Sequence, residues 1–374
     1  MIALLIGAGL ALLLALVGTP LFIRLLVHKS YGQFIRDDGP TSHHTKRGTP
    51  TMGGTVVVGA VLLSYGLTHL IMWLMNPRSP GPSASALLLL FLMVGMGLVG
   101  FLDDFIKVSK QRSLGLRSKA KMIGQTVIAL VFGWLAVTGI FEDDNGIAPA
   151  SRHLSFIRDT RFVLPTIVAI LLYWVMITGT SNAVNLTDGL DGLATGACVM
   201  VFGAFMFVNI WQNNQNCAIH HVRACYEVRD PLDLALVAAA ITGACFGFLW
   251  WNAPPAQIIM GDTGSLSLGG AMAGLAILTR TELLLLVIGG LFVVITLSVM
   301  LQVGFFKASR RFGVVRTVFR VERGHRVFRM APLQHHFELL GWEQVTVVIR
   351  FWIITGLCVA GGLGVFYAAW VARA

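Results

Sequence analysis

Two adjacent carboxylates, Asp103 and Asp104, follow directly on a long apolar run that ends at Leu102. Lys107 lies one helical turn beyond Asp103, so a helix would place its ammonium group and that carboxylate on the same face. Two carboxylates at a membrane edge are costly unless a cation neutralises them, and oxygen ligands of this kind suit Mg²⁺. The pair predicts a metal or phosphate site, with two interfacial charges that end a helix as the alternative.

A second polar cluster is the eleven-residue stretch 182–192, Asn-Ala-Val-Asn-Leu-Thr-Asp-Gly-Leu-Asp-Gly, which lies between two apolar runs. A helical turn would align Asn182, Asn185 and Asp188, and Asp191 follows three residues later. Their amides and carboxylates could bind a metal, a sugar or a base edge. Asx-rich turn chemistry explains any one of these residues, but so long a polar stretch between two spans favours a functional site.

A third cluster runs from Asn252 to the string Gly-Asp-Thr-Gly-Ser at 261–265, where the next apolar stretch begins. If a helix begins there, Asp262 lies beside unpaired backbone amides and the positive end of the helix dipole, which favour phosphate. Its carboxylate could hold a metal that bridges to that phosphate. A simple helix N-cap is the alternative interpretation of Asp262, and the two roles are compatible.

Two adjacent histidines, His335 and His336, occur in the string Ala-Pro-Leu-Gln-His-His-Phe-Glu at 331–338. Near a carboxylate they could be metal ligands, phosphate donors or an acid and a base. Two adjacent histidines alone would favour an ordinary surface position. The presence of the other polar clusters in the same sequence is what indicates a function for them. In the loop before the second apolar run, Lys46 supplies charge and Thr51 lies in the turn that enters the run.

Taken together, the clusters offer carboxylates for a divalent cation. They also offer ammonium groups, among them Lys107 and Lys121, for negative charge spread over phosphates. These are the requirements of phosphoryl transfer, in which catalysis is mainly positioning and electrostatic stabilisation. Because the clusters lie between apolar runs, we expect one substrate to be a membrane lipid phosphate.

The elements that must position these clusters are membrane helices. The chain has 374 residues, of which 56% are hydrophobic and only 12% charged, against about 25% charged in soluble domains. This composition excludes an ordinary soluble, disordered or disulfide-rich secreted protein and predicts a single all-α polytopic membrane domain over residues 1–374. A span needs roughly 20 mostly apolar residues. Ten stretches qualify: 2–27, 52–75, 84–102, 122–141, 162–178, 192–211, 232–251, 265–278, 283–303 and 344–371.

Ten transmembrane helices place both termini on the same side, and the basic residues give the orientation. The loops after odd-numbered spans hold 18 Lys and Arg residues and those after even-numbered spans hold seven. This bias predicts cytoplasmic odd loops and both termini outside. The stretch 265–278 is short and Gly-rich, and its loss would break the parity. In an outside loop, Cys217 and Cys225 could form a disulfide or remain two free thiols.

The net charge of +10 indicates orientation, and no nucleic-acid partner is expected, because the basic residues lie in short loops and form no basic domain. In the long loop after the ninth span, Arg316, Arg320 and Arg323 follow helical spacing, which predicts a helix lying on anionic lipid. A secondary transporter is the alternative of a different class. It would place ionisable residues near mid-bilayer, where this sequence has almost none.

The motifs resemble those of the polyprenyl-phosphate N-acetylhexosamine-1-phosphate transferases over essentially the whole chain. Asp-Asp-x-x-Lys at 103–107 and the amide-rich string at 182–192 are similar to motifs of the whole family. In combination, Gly-Thr-Pro-Thr-Met-Gly-Gly at 48–54 and the strings at 261–265 and 331–338 resemble the branch with a muramoyl-pentapeptide substrate. The resemblance implies ten spans with both ends outside, in the plasma membrane of a bacterial cell.

This resemblance implies transfer of phospho-MurNAc-pentapeptide from UDP-MurNAc-pentapeptide to undecaprenyl phosphate, with Mg²⁺ as cofactor and UMP as product, in peptidoglycan biosynthesis. We also expect a homodimer in contact with membrane lipids. The same reaction with UDP-GlcNAc is the close alternative, and the histidine string at 331–338 favours the muramoyl substrate. Gln334 stands where the family often has a further histidine. An amide is neither acid nor base near neutral pH, so Gln334 is expected at most to bind.

The resemblance also implies roles for individual residues. Asp103 matches the aspartate that either deprotonates the lipid phosphate or attacks the nucleotide directly, and both mechanisms stay open. Asp262 is expected to be the main Mg²⁺ ligand, with Asp104 supporting the metal or the lipid phosphate. The other expected contacts are Lys107 and Lys121 with phosphates, Asn182, Asn185, Asp188 and Asp191 with the nucleotide, Lys46, Thr51 and Asn252 with the uridine diphosphate, and His335 and His336 with the sugar phosphate.

Overall fold

The computed structural model describes residues 1–28, 48–110, 115–217, 225–312, 318–319, 322 and 324–372. In these residues the chain is mostly helical, with a short antiparallel hairpin before the fifth helix. The helices are α1 Ile2–His28, α2 Gly54–Met75, α3 Ala84–Ser109, α4 Ser118–Val137, α5 Thr166–Thr187, α6 Leu193–Asn214, α7 Pro231–Asn252, α8 Gly261–Leu278, α9 Leu285–Ile288, α10 Gly290–Arg311, α11 Leu333–Glu338 and α12 Gln344–Val371. The hairpin strands are β1 His153–Ser155 and β2 Asp159–Val163.

Nine helices in the described ranges are long and apolar enough to cross a membrane: α1 to α7, α10 and α12. The prediction of an all-α protein with many membrane-crossing helices is thereby confirmed. Large apolar side chains such as Leu5, Leu98 and Leu357 are more than half exposed on these helices, as expected where lipid surrounds them. The predicted lipid-binding helix with Arg316, Arg320 and Arg323 falls outside the described residues.

The helix α8 differs from these nine, because every residue from Thr263 to Leu278 is buried. It contacts α2, α3 and α5, which enclose it. A helix enclosed by protein needs no continuous apolar surface, and small side chains such as those of α8 allow close packing. The predicted stretch 265–278 begins four residues too late, since α8 begins at Gly261.

Two helices extend beyond their predicted ends and carry polar motifs with them. α3 continues to Ser109 although its apolar stretch ends at Leu102, and α5 continues to Thr187 although its apolar stretch ends at Thr178. The polar side chains of these last turns contact other helices rather than lipid, and this pairing offsets the cost of their burial. The first two motifs therefore lie largely within helices and not in loops.

Two other predicted spans are wrong in detail. The stretch 283–303 is two helices, α9 and α10, which are separated at Gly289, and α10 then continues to Arg311. Adjacent glycines at 289 and 290 make the helical conformation costly there, which explains the break. The stretch 162–178 begins too early, because residues 159–163 pair with β1 and α5 begins only after Pro165.

The two ends of the helical bundle differ in chemistry. At one end Cys217 and Cys225 form a disulfide, which decides between the two alternatives left by the sequence. α1 begins at this end, where Met1 and Asn216 line one cavity. α12 ends there, where Tyr226 stacks on Phe366 in the last turns of that helix. The carboxylate motifs lie at the opposite end, where α3 and α5 end and α8 begins.

Glycines let α8 approach its neighbours closely at this motif end. A Cβ added to Gly54 of α2 would collide with the backbone of Gly264, and one added to Gly100 of α3 would collide with the backbone of Asp262. Backbone atoms cannot move aside as the tip of a side chain can, so these positions require glycine. Direct backbone contact with two helices therefore fixes the start of α8.

We expect Gly100→Ala to destabilise the protein, because the methyl group would push α8 away from α3. Overpacking of this kind costs about 1–3 kcal/mol. The melting temperature in detergent measures the effect. Gly59→Ala in α2 is the matched control, since nothing lies within 4 Å of a Cβ added there. Equal melting temperatures for the two variants would contradict the close approach of α3 and α8.

Candidate active site

The helices α3 and α8 bring three carboxylates together. Asp103 and Asp104 lie near the end of α3, and Asp262 is the second residue of α8. One oxygen from each residue lies within 4.8 Å of the other two. Asp103 and Asp104 are only 3% and 2% exposed, so their charges need neutralising partners. Hard carboxylate oxygens at this spacing fit a divalent metal ion.

Two ammonium groups neutralise this carboxylate cluster. Lys107 Nζ lies 2.5 Å from a carboxylate oxygen of Asp103, 2.9 Å from one of Asp262 and 3.7 Å from one of Asp104. Lys121, near the start of α4, places its Nζ 2.8 Å from the same Asp262 oxygen. The expected alignment of Lys107 with Asp103 on one helix face is confirmed. Ammonium groups held in this way can also contact phosphate oxygens.

Asp104 holds the beginning of α8. Its carboxylate oxygens accept hydrogen bonds from the backbone N–H of Asp262 at 3.2 Å, and from the backbone N–H and hydroxyl of Thr263 at 2.9 and 2.8 Å. The alternative that Asp262 is the N-cap is therefore wrong. A carboxylate from α3 satisfies the free amides instead and neutralises the positive end of the helix dipole.

Asp103 faces a different partner. One of its carboxylate oxygens accepts the N–H of Leu116 at 2.7 Å, and Gly115 lies so close that an added Cβ would collide with the carboxylate. The loop before α4 thus covers Asp103, while Lys107 contacts its second oxygen. A carboxylate with one amide and one ammonium partner retains capacity to accept a further proton or hydrogen bond.

The helix α5 brings one of its two motif asparagines to the cluster. Asn185 donates from Nδ2 to Asp262 at 2.6 Å and to Ser265 at 2.9 Å. Asn182 donates instead to Gln125 of α4 at 3.1 Å and to a carbonyl of its own helix at 2.7 Å. Asn185 therefore belongs to the carboxylate cluster, and Asn182 joins α4 to α5.

The two remaining aspartates of this motif follow the end of α5. Burial raises the pKa of Asp188 well above its usual range, and the negative charges of Asp262 and Asp104 raise it further. Asp191 accepts the N–H of Ala256 at 3.3 Å and so contacts the loop between α7 and α8. The motif therefore borders both the carboxylate cluster and the loop that precedes α8.

The residues expected near the uridine diphosphate have separate surroundings. Asn252 is 2% exposed; its oxygen accepts from the Thr195 hydroxyl at 2.5 Å and its Nδ2 donates to the Ile258 carbonyl at 3.0 Å. Both of its polar groups are thus bonded within the protein. Thr51 is buried beside the start of α8. Lys46 lies outside the described residues.

The histidine string forms the short helix α11, which packs on the motif of α5. Gln334 is fully buried and donates from Nε2 to the carbonyl of Leu186 at 2.8 Å, so it attaches α11 to α5 and presents no surface to a substrate. His335 has its Nδ1 2.7 Å from a carboxylate oxygen of Glu338. Its ring lies against Gly189, where an added Cβ would be 2.9 Å from Nε2.

The sequence of this chain matches known proteins over its whole length. A family model described as glycosyl transferase family 4 matches residues 86–280, which include all three clustered aspartates. A protein of Nocardioides sp. named phospho-N-acetylmuramoyl-pentapeptide-transferase is 68% identical over 99% of both chains. Proteins of the same name from Arthrobacter sp. and Micrococcus luteus are 66% and 55% identical, over 99% and 100% of this chain and 99% and 98% of their own lengths.

The chain belongs to glycosyl transferase family 4. The region that the family model matches ends at residue 280, before the histidine pair. The full-length relatives cover α11 as well. The carboxylate cluster therefore lies in the part that defines the family, and the histidines lie in the part shared with the named transferases.

Several residues that hold the site of this glycosyl transferase were not predicted. Thr263 and Ser265 lie inside a recognised motif, but their contacts form only because α3 and α5 pack against the start of α8. Glu338 ends the histidine string and pairs with a residue one turn earlier. Gln125 and Thr195 lie in apolar stretches, and no sequence pattern distinguished them from packing residues.

The arrangement can hold a diphosphate and its charge-neutralising ion. Three carboxylates can hold a cation, two ammonium groups can contact phosphate oxygens, and the Asn185 amide fixes the orientation of Asp262. Oriented charges in a partly buried site stabilise developing charge without reorganisation. This is the chemistry expected for transfer of a phosphate-linked sugar, and Asp103 is the carboxylate of α3 that does not bind the backbone of α8.

Proposed function

We propose that this protein transfers phospho-MurNAc-pentapeptide from UDP-MurNAc-pentapeptide to undecaprenyl phosphate. The bond between the sugar-bearing phosphorus and the bridging oxygen breaks, and UMP leaves with that oxygen. An oxygen of the lipid phosphate bonds to the same phosphorus, which gives lipid I for peptidoglycan. The observation that carries the proposal is the cluster of Asp103, Asp104 and Asp262 with two lysines. The names of full-length relatives at 55–68% identity support the choice of substrates.

We propose Mg²⁺ as the cofactor, held by Asp262 together with Asp103 and Asp104. When bound, the ion supplies positive charge that lowers the cost of charge build-up on the diphosphate. Lys107 and Lys121, whose ammonium groups lie at this cluster, would bind phosphate oxygens. The three carboxylates and their spacing fit this ion, because Mg²⁺ prefers oxygen ligands and is commonly held by few carboxylates.

Asp103 is the proposed reacting carboxylate, either as the base for the lipid phosphate or as the nucleophile toward the nucleotide sugar. In both mechanisms the Leu116 amide and Lys107 orient it. Asn185, Asp188 and Asp191 form the proposed nucleotide wall. The other proposed substrate contacts are Thr51 and Lys46 near the uridine diphosphate and His335 and His336 on the sugar-phosphate side. Asn182 and Asn252, which are bonded within the protein, would support this wall from behind.

We further propose ten spans, namely the nine long apolar helices and α8. We also propose an active site on the cytoplasmic side of a bacterial inner membrane. Basic residues support this orientation, since Lys107, Lys119 and Lys121 lie at the carboxylate end, where α3 ends and α4 begins. The disulfide between Cys217 and Cys225 supports it from the opposite end, because disulfides persist outside the cytoplasm. Both termini are then outside. Association as a homodimer belongs to the same proposal.

Purified protein in detergent is expected to release UMP from UDP-MurNAc-pentapeptide only when undecaprenyl phosphate and Mg²⁺ are both present. No release under those conditions would refute the proposal. Competition between UDP-MurNAc-pentapeptide and UDP-GlcNAc separates the two transferase alternatives. A secondary transporter would instead show substrate flux across proteoliposomes, and Asp103→Asn would leave any UMP release nearly unchanged.

A further inference from the structure

The helix α10 carries a row of polar side chains on an otherwise largely apolar surface. Ser298, Gln302 and Ser309 are spaced four and seven residues apart, so at 3.6 residues per turn they fall within about 40° of one another. This face contacts residues 324–332, which lead into the histidines of α11 and which we call the histidine strap.

Gln302 makes the central attachment of the histidine strap. Its side-chain oxygen accepts the N–H of Phe328 at 2.9 Å, and its Nε2 donates to the Phe328 carbonyl at 3.0 Å. A cavity of about 300 Å³ lined by Val303, Phe306 and Met330 lies between α10 and part of the strap, and the ring of Phe305 contacts His325 nearer its start. At Phe328 the attachment to α10 is made by these two hydrogen bonds.

Two serines attach the segment on either side of Gln302. Ser309 accepts the N–H of His325, and Ser298 accepts the N–H of Leu333, the first residue of α11, each at 3.1 Å. Both hydroxyls also donate to carbonyls of their own helix. Gln302 is thus the one of the three that bonds twice to the strap, and we expect it to dominate the attachment.

The strap reaches the histidine pair through Arg329. Its backbone N–H donates to Nδ1 of His336 at 3.1 Å, and its guanidinium donates to the carbonyl of Leu339, just beyond α11, at 2.7 Å. An Nδ1 that accepts a hydrogen bond carries no hydrogen, so neutral His336 carries its hydrogen on Nε2. The ring of Phe328 packs edge-on against His336, with ring centres 5.5 Å apart.

We propose that Gln302 is a positioning residue of this transferase. Its amide fixes the strap, and the strap fixes His336 in the tautomer whose Nε2–H can donate to a substrate oxygen, as on a phosphate or a carbonyl. Gln302 itself touches no substrate in this arrangement. The inference rests on the proposed function for its catalytic part, while the attachment of the strap to α10 is a structural statement that can be measured by itself.

The test uses Gln302→Leu in the full-length protein in detergent. Without the side-chain acceptor, the Phe328 amide is expected to exchange hydrogen about tenfold faster, in line with the loss of one net hydrogen bond. Mass spectrometry of peptides that cover 324–333 measures the exchange. UMP release is expected to fall by a similar factor. Thr296→Val is the matched control on α10, since its hydroxyl bonds only to its own helix, and both quantities should stay unchanged.

Gln302→Glu gives a second readout that a general loss of stability would not produce. An ionised carboxylate accepts from the Phe328 N–H but repels the Phe328 carbonyl, whereas the protonated acid restores both bonds. An ordinary glutamate titrates near about pH 4.3. The activity relative to the unsubstituted protein should therefore be lowest above about pH 6 and recover as the pH falls toward about 4. A flat ratio from about pH 4 to about pH 7 would overturn the positioning role.

Two further results would also overturn the inference. Unchanged exchange of the strap amides in Gln302→Leu would show that α10 does not hold the strap. Faster exchange with unchanged UMP release would show that the strap does not position a group used in the reaction. If the unsubstituted protein releases no UMP, the proposed function fails separately, and the exchange measurement still decides whether Gln302 holds the strap.

Discussion

UMP release by an Asp262→Ala variant is expected to fall by about 10³-fold or more while the protein stays folded. The Asp262 carboxylate holds the ammonium groups of Lys107 and Lys121 and accepts from Asn185, all within 2.9 Å. Removing one group that stabilises charge in the transition state costs about 2.7–4 kcal/mol, and each 1.36 kcal/mol corresponds to a factor of about ten in rate. The proposed metal site loses its main ligand in the same change.

A matched control lies at the opposite end of the bundle. Asp233 is the third residue of α7 and accepts hydrogen bonds from Tyr65, His69 and the Ser83 amide, at 2.8 to 3.0 Å. Asp233→Ala therefore also removes a hydrogen-bonded carboxylate from the start of a helix, but far from the cluster. UMP release per folded molecule should be little changed. Comparable losses in both variants would mean that the Asp262 effect reports general instability and not the site.

The apolar stretches of the sequence predict most of the membrane helices because lipid surrounds them. A helix in contact with lipid must be apolar along its outer face, so exposed apolar residues such as Leu357 make the helix recognisable as an apolar stretch of the sequence. In α8 this signal is weaker, and its predicted stretch is short and Gly-rich, since its contacts are with other helices. The last turns of α3 and α5 were missed for a related reason: their polar residues are neutralised by residues distant in sequence, such as Asp262 for Lys107.

The identity of the clustered aspartates was predictable, but the difference between Asp103 and Asp104 was not. Adjacent residues on a helix point about 100° apart, so one carboxylate faces the start of α8 and the other faces the loop before α4. Only the packing of α3 against α8 decides which of the two aspartates faces α8 and which faces the loop. The same holds for Gln334, since its sequence position suggested binding and its burial against α5 makes it an attachment residue.

This difference predicts different outcomes for Asp103→Asn and Asp104→Asn. In Asp103→Asn the amide oxygen can still accept from Leu116, and Lys107 loses one partner but keeps Asp262, so the melting temperature should fall less than in Asp104→Asn. UMP release should fall by about 10²–10⁴-fold, because the carboxamide is neither base nor nucleophile near neutral pH. In Asp104→Asn an NH₂ group must face donors from Asp262 or Thr263, and such an unsatisfied contact costs about 1–3 kcal/mol.

Thermal unfolding in detergent and UMP release, measured on the same preparations, separate the two variants. Asp104→Asn should melt several degrees lower, and its loss of activity should be accompanied by greater hydrogen exchange at the start of α8. Asp103→Asn should melt at a higher temperature than Asp104→Asn, should show no greater exchange at the start of α8, and should still bind UDP-MurNAc-pentapeptide. Equal melting temperatures with equal activity would assign both aspartates the same role. The structure predicts different roles, because the backbone amides at the start of α8 donate to Asp104 and the amide of Leu116 donates to Asp103.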